Sequence, residues 1–283
     1  MEPVFLVIDG YRREGREDLA AGGATSAGEL YQRMLSECHP GCRVEILCPA
    51  DEDQALPEAT GLKDYDGIAW TGSSLTVFHD HPSVTNQIKL MRDIFAAGIP
   101  SFGSCWAAQI GVVAAGGRCA LNPRGREMGI ARKIALTPAG RAHPMYTGKP
   151  DVFDAFISHD DEVTHLAPGV VSLAGNAFTA VQAVTIDHGP GSMWSVQYHP
   201  EYDLHEMARL IYCRIEKLKG LGFFQDRSAG EDYVNQLEAL HQDPSRKDLA
   251  WKLGIDADVM NPDVRQVEVR NWIQQLVLPK MRP

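Results

Sequence analysis

An α/β fold follows from three features of this 283-residue chain. Up to about residue 115, short apolar runs alternate with stretches of helical spacing, the pattern of a parallel sheet covered on both faces. From Gly117 to about residue 198 the runs are strand-like and separated by Gly, Pro, Asn and Asp turn signals, so this half is β-rich and partly antiparallel. Beyond Gly220 the strand patterns stop. The expectation is a central, mostly parallel sheet with helices on both faces over residues 1–219, and a helical C-terminal extension over residues 220–283.

Val4–Ile8 reads as the first strand, and the Gly/Ala-rich residues 12–24 as a mobile loop. Leu30, Met34 and Leu35 share one face of a helix over residues 26–38. Strands follow at 44–47 and Gly67–Trp70, the second running into the small polar turn Thr71-Gly72-Ser73-Ser74. Ile88, Met91, Ile94 and Phe95 line one side of a helix over Pro82–Ala97. A strand at 99–103 leads into a helix at 106–115 rich in Ala, Val and Ile. Later strands are expected at 129–136, 152–158, 170–174, 180–186 and 193–198. Leu204, Met207, Ala208, Ile211, Ile215 and Leu218 repeat at threes and fours, which predicts one amphipathic helix over 204–218. Residues 220–230 read as a linker, with helices near 231–241, 245–253 and 262–277. That extension either packs on the main domain or offers a partner surface.

Composition narrows the function. A formal net charge of −10 argues against a nucleic-acid partner, because phosphate binding needs a basic face. No apolar run approaches a membrane span, and the N-terminus lacks the basic start and cleavage site of a signal peptide. Cys38, Cys42, Cys48, Cys105, Cys119 and Cys213 form no C-x-x-C pair. Cys38-His39 with Cys42 lacks a second ligand pair for a metal. Free thiols in a reducing compartment, and so a cytoplasmic protein, are the expectation. His79, His81, His143, His188, His205 and His241 lie in polar or turn contexts and read as surface residues.

The chemistry is expected at Ile99-Pro-Ser-Phe-Gly-Ser-Cys-Trp-Ala-Ala-Gln109. A strand runs into Gly103, then Ser104 and Cys105, and a helix begins at once. Small residues at Gly103 and Ala107 flank the cysteine, the layout of a nucleophile elbow at the C-terminal edge of a parallel sheet. A helix N-terminus favours the thiolate, and the Trp106 N–H is placed to stabilise an oxyanion. The alternative is a buried cysteine opening a core helix, since cysteine is often buried. The strand–turn–helix context favours function. A thiol nucleophile needs a proton shuttle, and Ser195-Val-Gln-Tyr-His-Pro-Glu201 offers one at another strand end. His199 sits at a turn set by Pro200, and Glu201 can fix its tautomer. Alone, His-Pro-Glu would be a turn ahead of a helix; beside the elbow, a triad of Cys105, His199 and Glu201 is the better account.

These residues resemble the class I glutamine amidotransferase family. Gly103-Ser-Cys-Trp-Ala-Ala-Gln109 is similar to its G-x-C-x-G-x-Q motif, and Val196-Gln-Tyr-His-Pro-Glu201 to its V-Q-F-H-P-E motif. Ser158-His-Asp-Asp-Glu-Val163 and Arg126-Glu-Met-Gly129 look like the S-H-G-D-x-V and R-E-x-G segments of the GMP synthase glutaminase domain. The resemblance spans roughly residues 4–218. It implies a flavodoxin-like fold, Cys105 as nucleophile, His199 as general base and acid, and Glu201 as its orienter. It implies an oxyanion hole from Gly72 or Ser73 with Trp106. Gln109 and the backbone around Ser158, His159 and Asp160 would hold the α-amino and α-carboxylate groups of glutamine. No metal or organic cofactor is implied. Ala107 stands for the family's second glycine, Ser73 and Ser74 for a common Gly-Pro pair, and Trp106 is expected to narrow or line the pocket.

The resemblance leaves several activities. One is a stand-alone glutaminase supplying ammonia to a synthetase subunit in trans, since the chain holds no P-loop or ATP-pyrophosphatase loop. Another is a hydrolase of γ-glutamyl amines or anilides using the same triad, with Trp106 and the altered oxyanion loop suiting a bulkier leaving group. The motifs favour the first slightly. A silent binding or regulatory module fits the intact Cys–His–Glu set poorly, and a transferase through the same thioester is a further alternative. A homo-oligomer is compatible with the sequence.

Overall fold

The first strand shows how the sheet is built. In β1 (Val4–Ile8) Phe5 and Val7 enter one core while Leu6 and Ile8 enter another, so a single alternating run supplies both faces of a sheet buried on each side. The computed structural model describes residues 2–51, 56 and 61–281. β2 (Arg43–Leu47), β3 (Gly67–Trp70), β4 (Ser101–Ser104) and β11 (Gly191–Val196) run parallel to it in the order β2-β1-β3-β4-β11. β10 (Ala183–His188), β9 (Val170–Gly175), β6 (Glu127–Leu136) and β7 (Val152–His159) extend the same sheet antiparallel, giving nine strands. The β-rich half therefore supplies both the last parallel strand, β11, and the antiparallel wing of the sheet. β5 (Arg118–Leu121) and β8 (Asp161–His165), which the pattern does not reveal, pair as a separate ribbon.

α3 (Pro82–Ala97) and α4 (Trp106–Ala114) pack Met91, Ile94, Phe95 and Ile110 on one face. α2 (Ala27–Cys38) covers the other with Tyr31, Met34 and Leu35, and its start is fixed by a Ser26/Glu29 capping box. Three expectations are corrected. Residues 12–24 are not a loop throughout, because α1 (Arg13–Ala21) forms there, tied by Arg16 to Asp51 and the Tyr11 carbonyl. Its polar composition hides a helix held by the Arg16 contacts and by one buried apolar residue, Leu19. The expected helix over 204–218 breaks at Arg214 into α6 (Leu204–Cys213) and α7 (Ile215–Gly220), although the apolar repeat runs through the break. The expected linker over 220–230 is shorter, since Asp226 caps α8 (Arg227–Gln242).

The remaining helices are α9 (Lys247–Leu253), α10 (Ala257–Met260), α11 (Pro262–Arg265) and α12 (Val267–Trp272), with a π-helical turn at Ile273–Val277. Here α12 lies on the α2 side of the sheet. The Trp272 ring sits 5.4 Å from Phe5 and 5.9 Å from Phe102, and Gly67 leaves room for it, since a Cβ there would meet the indole at 2.9 Å. Buried Glu268 binds Lys149 at 3.0 Å and accepts from Tyr198. Trp272→Ala is therefore expected to cost roughly 3–5 kcal/mol of stability, read by urea unfolding; a loss under about 1 kcal/mol would mean that the extension contributes little to the core. Among the described residues no helix is long and apolar enough to cross a membrane.

Candidate active site

Cys105 stands between β4 and α4 with φ +53° and ψ −102°, backbone that a side chain rarely adopts. The elbow explains the glycine before it. A Cβ on Gly103 would lie 2.3 Å from Ala107 Cβ and 2.7 Å from the Trp70 carbonyl oxygen. Strain held this way at a sheet edge is characteristic of a functional turn. The Cys105 thiol points at the Ser158 carbonyl, 3.6 Å away. Burial pushes the Cys38 and Cys119 thiols up to about 12 and that of Cys48 to about 11, which keeps them protonated and inert.

The structure brings His199 and Glu201 to this thiol. The His199 Nδ1 lies 2.7 Å from Glu201 Oε1, and the same oxygen accepts from Ser104 Oγ at 3.0 Å. Ser104 in turn accepts from the Tyr31 hydroxyl at 2.7 Å, so a buried chain of donors fixes the carboxylate. The His199 ring stacks flat on Tyr202, with centroids 4.2 Å apart. Its Nε2 is buried, on the side left to the Cys105 sulfur. Burial opposes a charge on this imidazole, but the Glu201 carboxylate and the Cys105 sulfur outweigh it and raise the group to about 9.

The loop expected to face the oxyanion is held in place. Ser73 Oγ donates to the Gly10 carbonyl at 2.8 Å and accepts from the Leu75 N–H at 3.1 Å. The Gly72 and Ser73 backbone N–H groups meet no partner among the described residues, and a Cβ on Gly72 would approach His199 Cε1 at 3.0 Å. Trp106 is a correction. Its indole is buried in the core and donates to Gln87 Oε1 at 3.0 Å, so it neither narrows nor lines the pocket. Only its backbone N–H belongs to the elbow.

A pocket of about 120 Å³ opens over Cys105 and His199. Gln109 lines it and donates to the Asp161 carbonyl at 3.3 Å. The His159 ring is committed to structure, with Nδ1 2.8 Å from the Asp161 carbonyl and Nε2 3.1 Å from Glu127. Glu127 also accepts from Asn176, Thr179 and Gln182, and despite burial these donors with His159 hold it below its usual value. Ser158 Oγ accepts from Arg126 at 2.9 Å and Arg214 at 2.8 Å. Asp160 pairs with Arg126 and Lys217, and despite partial burial their charges hold it below its usual range.

Nine pocket residues lay outside the expected set: Ser74, Leu75 and Thr76 of the loop after β3, and Tyr11, Arg126, Asp161, Tyr202, Arg214 and Lys217. Arg126 and Asp161 lie within motifs already singled out, without having been assigned to the site, and Tyr202 directly follows one. Asp161 has a buried Oδ1 with no partner among the described residues, and burial with the Asp160 charge raises its carboxyl. Tyr11 is placed by Asp9, whose carboxylate accepts from the Tyr11 and Gly28 N–H groups, and nothing local marks it.

Comparison with known proteins gives the family. The family model described as glutamine amidotransferase class-I matches residues 26–214. A γ-glutamyl-L-1-hydroxyisopropylamide hydrolase of Pseudomonas sp is 31% identical over 97% of this chain and 93% of its own length. A glutamine-hydrolysing GMP synthase of Thermomicrobium roseum is 30% identical over 61% of this chain, which spans only 29% of that protein. The crystal structure of a glutamine amidotransferase of Thermotoga maritima superposes with a TM-score of 0.66, covering 98% of this chain and 99% of its own at 15% identity, which speaks to the fold alone. The flavodoxin-like fold, the cysteine elbow and these matches converge: the chain is an enzyme that belongs to the class-I glutamine amidotransferase family of cysteine-nucleophile hydrolases.

Proposed function

We propose that this enzyme hydrolyses γ-glutamyl amides of small amines through Cys105, His199 and Glu201. The observation that carries this reading over ammonia donation is the extent of the likeness. The Pseudomonas hydrolase aligns over nearly the whole of both chains, C-terminal helices included, whereas the GMP synthase aligns over a part.

The chemistry follows from the geometry. The Cys105 thiolate attacks the γ-carbonyl carbon, and the carbonyl oxygen takes the negative charge facing the Trp106 and Ser73 (or Gly72) N–H groups. One such donor is typically worth roughly 2.7–4 kcal/mol of barrier. His199 protonates the nitrogen through Nε2, the C–N bond breaks, and the free amine leaves a γ-glutamyl thioester. His199, now neutral, takes a proton from water, which attacks the thioester. The C–S bond breaks, and glutamate and the thiolate are regenerated. Asp161 Oδ1 suits the substrate α-ammonium, with Gln109 and the Ser158–Asp160 backbone beside it.

The partial GMP synthase matches support a second reading, a glutaminase that feeds a synthetase in trans. The purified chain, given glutamine and a γ-glutamyl alkylamide in parallel, is expected to turn over the alkylamide about tenfold or more efficiently, without a partner. Faster release of glutamate from glutamine would overturn the amide-hydrolase reading in favour of the second.

A further inference from the structure

The C-terminal extension reaches the His-Pro-Glu turn from behind. The family match ends at residue 214, yet Arg265 at the end of α11 and Glu268 in α12 both contact the segment Tyr198-His199-Pro200-Glu201. Arg265 Nε donates to the Pro200 carbonyl at 3.4 Å, and that carbonyl belongs to the peptide leading into Glu201. Glu268 accepts from the hydroxyl of Tyr198, directly before His199, and is itself held by Lys149 at 3.0 Å. From the sheet side, the Phe156 carbonyl of β7 accepts from the His199 N–H at 2.8 Å.

Arg265 and Glu268 are both buried, and burying a charge is costly unless its partners compensate. The hydrogen bonds of Arg265 all go to main-chain carbonyls, those of Pro200, Val259 and Met260. The charges of Asp203 and Glu37 act on it, but among the described residues no carboxylate forms an ion pair with it. The bland account is that Arg265 closes the end of α10, where the Val259 and Met260 carbonyls lie. That account leaves the Pro200 contact without a purpose. The turn's own closing bond, from the Tyr202 N–H to the His199 carbonyl, is also long at 3.4 Å. Neither bond alone fixes the peptide, and the charge on the guanidinium strengthens the one from Arg265.

We propose that Arg265 and Glu268 are positioning residues: from the extension they hold Pro200 and Tyr198, the neighbours of His199 on either side, and so fix the angle at which Glu201 meets the imidazole. The inference rests on the Cys105, His199 and Glu201 triad of the proposed function, whichever amide is cleaved, and adds to it a part for the extension in the reaction.

The test measures kcat and KM on whichever of glutamine and the γ-glutamyl alkylamide the purified chain cleaves faster, well below each variant's unfolding midpoint. Misplacing a reacting group by about 1 Å costs up to about 100-fold. Arg265→Met removes every donor of the guanidinium and is expected to lower kcat by about 10- to 100-fold, with KM within about threefold. Arg265→Lys keeps the buried charge but loses the planar fork, so it decides the question where Arg265→Met does not fold; its kcat should fall by about three- to tenfold. Tyr198→Phe deletes one hydroxyl and leaves Glu268 its lysine, and a fall in kcat of about three- to tenfold is expected there too. In a Glu201→Gln background, where the carboxylate is already gone, each substitution should cost less than about threefold more, because residues that act as a unit are not additive. Each variant judges its own residue. A native kcat with only a lower unfolding midpoint would make that residue a fastener of the extension and overturn its part in the reaction. So would a loss that multiplies in full in the Glu201→Gln background, since the residue would then act through another group. Near-native turnover by Glu201→Gln alone would overturn the triad reading itself, and this proposal with it.

Discussion

Cys105→Ala is expected to lower turnover of a γ-glutamyl amide by roughly 10⁵-fold or more, with the fold intact. Two features make the loss so large. In the proposed mechanism the thiol is the nucleophile, and among the described residues no other cysteine lines the pocket. Substrate binding and the Ser73 and Trp106 donors would survive, so the remaining rate should still exceed that of the amide in water. Stability should change little, because Ala fits the space of the thiol and shares its backbone strain at φ +53°. Cys105→Gly should be equally inactive but relieved of part of that strain. Glutamate release, thermal unfolding and intact-mass detection of the γ-glutamyl adduct check this together. Appreciable turnover by a folded Cys105→Ala enzyme would remove the thioester route.

How much of this was legible in the sequence depends on the range of the contacts. Gly103-Ser-Cys-Trp-Ala revealed the elbow, because a sharp strand-to-helix turn imposes small residues at fixed short distances, and the structure shows the collision those residues avoid. The contact of His199 with Glu201 was legible because only two positions separate the pair. Residues recruited from far along the chain were not. Tyr31 reaches Ser104 across 73 positions, and Arg214 reaches Ser158 across 56, and no local pattern records such distances. Arg214 was hidden further by the apolar repeat that continues through its helix break. Trp106 misled in the opposite sense, since adjacency to Cys105 suggested a pocket residue whereas the first helical turn sends the indole into the core toward Gln87. α1 was read as a loop because its sequence is polar, and it is held by Asp51 and by the single buried Leu19 rather than by a full apolar stripe. The C-terminal helices were visible as helices, but that Trp272 would fill the space over Gly67 was not, because a sheet glycine reads only as a weak strand position.

Glu201→Gln should have the second large effect, a fall in kcat/KM of about 10³–10⁴-fold together with a displaced pH profile. Glu201 Oε1 takes two donors, His199 Nδ1 and Ser104 Oγ, while Oε2 is buried without a partner. An amide at this position has two settings. With its oxygen at the Oε1 site, the NH₂ group is left unpaired in the Oε2 site. With its nitrogen at the Oε1 site, it donates to Nδ1 and drives the His199 proton to Nε2, the tautomer that cannot accept a proton from the thiol. Either way the negative charge that lifts His199 against its burial is gone. The sign is then fixed. His199 holds its proton up to about 9, so the acid that protonates the leaving amine is present below that pH and lost above it. The same raised value, well above the ordinary 6.5, adds stability that is complete below pH 6.5 and is lost as pH rises through about 9. In Glu201→Gln the alkaline limb of kcat/KM should therefore move to lower pH, and the fall in stability with rising pH should flatten. Ser104→Ala isolates the positioning part, since it leaves the carboxylate charged but lets it rotate. It should lower the rate far less than Glu201→Gln and keep the alkaline limb near 9, and a limb that moves equally in both variants would show that geometry, rather than charge, sets the proton affinity of His199.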